Sequence, residues 1–126
     1  MNKRVIHTDT APQAIGTYSQ AIAHNGMVFV SGQIPLDPGS MEMVGGGIEP
    51  QISQVFENLS AVCQAAGGSL ADIVKLTVFL TNMENFQHVN TIMSQYFSSP
   101  FPARATVGVA ALPKGAEIEM DAILIV

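Results

Sequence analysis

Apolar residues recur at Ile52, Val55, Phe56, Leu59, Val62, Cys63 and Ala66, the spacing of one buried helical face. Pro50 suits a first turn and Gly67-Gly68 a stop, so the pattern predicts a helix over 48–66. Phe86, Val89, Met93 and Phe97 mark the inner face of a second helix, with Thr81 and Glu84 at capping-box spacing before it and Ser98-Ser99-Pro100 ending it. Between the helices, Asp72 to Leu80 is rich in branched residues and alternates too weakly to be half solvated. It reads as a central strand covered on both faces. Residues 3–7 predict a short strand. Tyr18–Ala23 and Met27–Ser31 flank Asn25-Gly26, a dipeptide that favours a tight hairpin because both positions tolerate positive φ. The stretch Gly32 to Gly47, with two prolines and five glycines, predicts an irregular, exposed segment and a candidate for mobility.

Residues 103–110 and 117–126 predict two further strands joined by a turn at Leu112-Pro113-Lys114-Gly115. In the last strand Ile118, Met120, Ala122, Leu124 and Val126 point one way, and Glu117, Glu119, Asp121, Ile123 and Ile125 the other. The first set belongs to a core beneath the helices. Two helices shield only one side of such a sheet, so Ile123 and Ile125 are left for neighbouring subunits to cover. The expected architecture is α+β, a mixed sheet of about six strands packed on two helices, in a single domain over residues 1–126.

Composition strengthens the subunit argument. Hydrophobic residues make up 48% of the chain and charged residues only 12%, about half the usual share of charge in a soluble protein. So uncharged a surface predicts a homo-oligomer. The net charge is −5 and the five Lys and Arg residues are scattered, which opposes any partner whose affinity comes from nucleic-acid phosphates. Polar His7 to Thr10 follow Lys3-Arg4 where a secretion signal needs an apolar stretch, and no apolar run approaches the ~18 residues of a membrane span. A single cysteine suits a reducing compartment, and a cytoplasmic location is expected.

Strand 103–110 places Arg104, Thr106 and Gly108 on one face and Ala105, Val107 and Val109 on the other, with the valines expected on the helix side. If it pairs antiparallel with the last strand, Arg104 and Glu119 share the non-helix face where subunits meet. Pattern alone leaves two readings open, a structural ion pair and a carboxylate-binding site. His7, His24 and His88 lack metal-site spacing, Cys63 sits on an apolar stripe, nothing in the sequence marks Lys75 for Schiff-base chemistry, and Gly45–Gly47 lacks the lysine of a phosphate loop. No metal and no organic cofactor are predicted.

The run Pro102-Ala103-Arg104-Ala105-Thr106-Val107, followed at the right distance by Ile118-Glu119-Met120, resembles the C-terminal signature of the RidA/YjgF family. Ala14 to Gln20, Val30 to Pro35, the helix near Pro50, and Val78-Phe79-Leu80 through Val89-Asn90 resemble the same family in order, so the likeness spans essentially the whole chain. It implies a chorismate-mutase-like fold, a homotrimer whose sheets line a central barrel, and three sites in the clefts between subunits. It implies hydrolytic deamination of reactive enamines and imines of the 2-aminoacrylate and 2-aminocrotonate type to 2-keto acids and ammonia, a detoxifying step in amino-acid metabolism. Carried onto this sequence, the resemblance makes Arg104 the carboxylate clamp, Glu119 the group that activates water and Tyr18 a residue closing over the ligand. Ser31, Gly32, Asn90 and Thr106 join Arg104 and Tyr18 as substrate-binding residues. Burial would raise the Glu119 pKa and Arg104 would lower it, leaving the direction open.

Two departures stand out: Thr17 where relatives usually have proline, and Thr106 where many carry cysteine or serine. A non-catalytic 2-keto-acid or small-carboxylate sensor using the same pocket is the alternative. Action on RNA, sometimes attached to the family, finds no basic stripe here.

Overall fold

A computed structural model describes residues 3–126. The strands are β1 (Arg4–Ile6), β2 (Ala21–His24), β3 (Met27–Gln33), β4 (Ile73–Leu80), β5 (Ala103–Gly108) and β6 (Ile118–Ile125), and the helices are α1 (Ile48–Ala65) and α2 (Phe86–Tyr96). One sheet runs in the order β1-β2-β3-β6-β4-β5, antiparallel throughout except where β4 meets β5.

Asn25 and Gly26 both take positive φ, 51° and 81°, as the β2–β3 hairpin demands. Strand β2 starts only at Ala21, which leaves Tyr18 on the preceding loop. Strand β3 carries on through Gly32 and Gln33 and then enters the expected irregular segment. That segment is not wholly exposed: Leu36 is buried and bridges to Met43, and the Asn58 side-chain amide donates to the Leu36 carbonyl at 3.0 Å.

Ile52, Val55, Phe56, Leu59 and Val62 of α1 pack on Leu76, Val78 and Leu80 of β4 and on Ile118, Met120 and Leu124 of β6, forming the core. Phe56 packs against Tyr96 and edge-on against Phe97, with ring centroids 5.1 and 5.6 Å away, which ties α1 to the end of α2. The helices cover one face of the sheet. On the other, Phe29 remains 43% exposed and Ile125 45%.

Four expectations are corrected. The residue that caps the turn into α2 is Asn82, whose Oδ1 accepts the Glu84 N–H at 2.9 Å, rather than Thr81, because a short 3-10 turn over Met83–Asn85 precedes the helix. Strand β4 is covered on one face only: Leu76, Val78 and Leu80 are buried, whereas Thr77 and Phe79 on the other face are half-buried and Val74 is exposed. Strand β5 does not pair with β6. It pairs parallel with β4, at the sheet edge, because α2 returns the chain to the end where β4 began. The parallel register also inverts the expected facing, since Val78 lies beside Thr106 and Phe79 beside Val107. Arg104, Thr106 and Gly108 therefore face the helices, and Val107 looks outward at 41% exposure.

Candidate active site

Six of the seven predicted site residues divide between two cavities, and Thr106 lines neither. The first, of about 540 Å³, is lined by Tyr18 on its loop, Ser31 and Gly32 on β3 and Glu119 on β6. The second, of about 430 Å³, is lined by Arg104, Asn90, Met93 and Phe101. Registry accounts for the division. Arg104 is aligned with Leu76, which is aligned with Ala122 on the helix face, whereas Glu119 is aligned with Phe79 on the outer face. Within one chain Arg104 and Glu119 thus occupy opposite faces, contrary to the expected sharing of one.

A bulge in β3 between Val30 and Gln33 builds the first cavity. It sets Gly32 against the Glu119 side chain so closely that a Cβ at Gly32 would collide with a carboxylate oxygen and lie 2.9 Å from Cδ. The missing side chain is what admits the carboxyl. The Ser31 hydroxyl donates to the Ser19 carbonyl at 2.6 Å, fastening the bulge to the loop that carries Tyr18. Tyr18 is 54% exposed, and its phenolic oxygen accepts the Ile15 N–H at 3.3 Å, leaving its proton free to be donated.

Burial raises the Glu119 pKa above the usual carboxylate range, and the Asp121 carboxylate on the same strand face raises it further. Within one chain the direction is upward, because Arg104 of the same chain does not face it. Burial raises Asp121 as well, against the opposing pull of the Thr77 hydroxyl and the Lys75 ammonium.

The second cavity presents a fixed arginine. Arg104 Nη1 donates to Asn90 Oδ1 at 2.7 Å and lies 3.6 Å from Met93 Sδ, while its guanidinium carbon sits 5.2 Å from the centre of the Phe86 ring. The Asn90 carbonyl is thereby committed to Arg104. Thr106 shares the Arg104 face, and its hydroxyl oxygen is enclosed with no hydrogen-bond partner among the described residues, a state that costs about 1–3 kcal/mol until a partner arrives.

Gln20, Phe86 and Met93 were not predicted as site residues. Gln20 is 3% exposed; its amide donates to the Thr8 and Pro12 carbonyls at 3.0 and 2.8 Å and its Oε1 accepts the Thr8 N–H at 2.7 Å, holding the 8–12 arm beside the first cavity. A glutamine among small apolar residues was the available signal. Phe86 and Met93 read as core because their spacing fits a buried stripe, which Met93 at 5% exposure also is. Cys63 is buried, with its thiol pushed up to about 12 by burial, so it has no thiolate to attack with near neutral pH. No group of three or more His, Cys, Asp or Glu residues converges as a metal site, and no helix is long and apolar enough to cross a membrane, among the described residues.

Residues 8–126 match the family model described as Endoribonuclease L-PSP. The chain belongs to the RidA/YjgF family. A 2-iminobutanoate/2-iminopropanoate deaminase of Dermatophagoides farinae is 45% identical to this RidA/YjgF chain over 124 residues, covering 98% of it and 97% of the relative. The Homo sapiens protein of the same name is 46% identical over 123 residues, with coverages of 98% and 90%. The crystal structure of RidA from an Antarctic Psychrobacter is 49% identical and superposes with a TM-score of 0.94 over 98% of this chain and 99% of that one.

Proposed function

We propose that the protein is an imine deaminase of the 2-iminobutanoate/2-iminopropanoate type, working at sites that two subunits complete together. The observation that carries this reading is the division of the polar machinery. One chain offers a pre-set guanidinium on one sheet face and a carboxyl with a raised pKa on the other, each in a cavity open to the surface. Relatives named as deaminases, at 45% and 46% identity, support the chemistry. The uncovered face bearing Phe29, Ile123 and Ile125 supports a neighbour against it, in a homotrimer with the sheets around a central barrel.

In this reading Arg104 of one subunit grips the substrate carboxylate with two parallel N–H donors, which lysine could not do. The imine carbon then lies against Tyr18, Ser31, Gly32 and Glu119 of the next subunit. Glu119, ionised, accepts a proton from water as the water oxygen bonds to that carbon. The proton then passes to nitrogen; as the C–N bond breaks, the new hydroxyl gives its own proton to the Glu119 carboxylate and becomes the carbonyl of a 2-keto acid, and ammonia leaves. A raised pKa suits a group that must both take and return a proton. The Thr106 hydroxyl would find its missing partner in bound ligand or solvent. A protonated imine is already electrophilic, so positioning and proton transfer suffice without metal or organic cofactor.

The test is release of 2-ketobutyrate from freshly generated 2-aminocrotonate, with wild type, with Arg104→Ala and without protein. Acceleration by wild type alone is expected. No acceleration, with 2-ketobutyrate still bound, would make the protein a 2-keto-acid sensor instead.

A further inference from the structure

We propose that Phe86 is a positioning residue for Arg104, one wall of a cradle on α2 that sets the guanidinium before a ligand arrives; this rests on the reading of Arg104 as the carboxylate clamp. Phe86, Asn90 and Met93 are spaced i, i+4 and i+7, so one face of a single helix presents all three. The ring of Phe86 lies 5.2 Å from the guanidinium carbon, within the range where the negative face of an aromatic ring attracts a cation. Asn90 Oδ1 and Met93 Sδ both address Nη1, at 2.7 and 3.6 Å. Nη2 and Nε are left without a partner among the described residues, and together they make the side-on fork that matches a carboxylate.

The cradle answers a particular difficulty. Arg104 stands on the edge strand of the sheet and is exposed, where a long flexible side chain would otherwise sample many rotamers and lose that freedom on binding. Helix α2 is itself held by buried Val89, Ile92 and Met93, so the cradle inherits the rigidity of the core. A leucine at 86 would fill much of the same space but has no negative face and no flat surface to orient a planar cation.

Phe86→Leu should weaken the binding of 2-ketobutyrate roughly five-fold and raise KM by a similar factor with 2-aminocrotonate as substrate. The kcat of this variant should change less than about twofold, and Phe86→Tyr should restore both binding and KM. Phe86 also packs against the core, so ring-fluorinated phenylalanines placed at position 86 give a second measurement that keeps the side chain's shape. Binding should weaken stepwise with each fluorine while the unfolding temperature holds. A fluorinated series that binds as tightly as the native ring would overturn the cradle even if Phe86→Leu fails to fold. Wild-type turnover separates the two ideas. Turnover with a flat fluorine series sinks the cradle alone, whereas absent turnover with graded 2-ketobutyrate binding sinks the deaminase reading and leaves the cradle standing.

Discussion

Arg104 and Glu119 stand back to back across one sheet, Arg104 in line with Leu76 on the helix side and Glu119 in line with Phe79 on the open side. Strand β4 separates the strands that carry them. No side-chain rotation brings the two together within a chain, because strand alternation fixes the face of each. Any reaction that uses both needs a second copy.

Gly32 leaves the space that the Glu119 carboxyl fills beside the first cavity. In Gly32→Ala the new methyl would meet the Glu119 carboxyl, so the carboxyl must move, at a cost of about 1–3 kcal/mol. Turnover should fall while 2-ketobutyrate binding through Arg104 persists. A variant with normal kcat would show that the Glu119 position is not critical.

Glu119 and Asp121 should give stability a distinctive pH dependence. Both carboxyls titrate higher in the folded chain than their ordinary values of 4.5 and 3.8. The folded chain therefore holds more protons, and their stabilising contribution is complete below those values and lost as pH rises through the raised folded ones. Urea unfolding at fixed protein concentration should show this decline. Glu119→Gln should flatten it while lowering kcat by about a hundredfold or more. Asp121→Asn, which removes the neighbouring charge but keeps the Thr77 and Lys75 surroundings, should shift the limb of the pH–rate profile that reports Glu119 to lower pH. An unmoved limb would exclude Asp121 as an influence on that carboxyl.

Much of this was legible in the sequence because it depends on local patterns. The two helices, the Asn25-Gly26 hairpin and the alternation of β6 follow from residue spacing, and the uncovered face bearing Ile123 follows from counting helices against sheet faces. The face of Arg104 was not legible. It depends on β5 pairing parallel with β4 instead of antiparallel with β6, a long-range choice that no local pattern in 103–110 encodes. The functional side of α2 is hidden for a related reason: Phe86 and Met93 satisfy the core stripe and the arginine at once, and a periodicity shows only the first. Gly32 was placed in the site by likeness to relatives; why the position wants no side chain became clear only with Glu119 lying against it.

The most direct test of a shared site is complementation. Arg104→Ala and Glu119→Gln, each inactive alone, are co-expressed with different tags, and mixed assemblies are purified and assayed for 2-ketobutyrate release from 2-aminocrotonate. In a trimer that contains both variants one site in three pairs an intact Arg104 with an intact Glu119 from the neighbour, so activity should return to about a third of wild type. Mixed assemblies as inactive as their parents, beside an active wild type, would contradict a site built from two subunits.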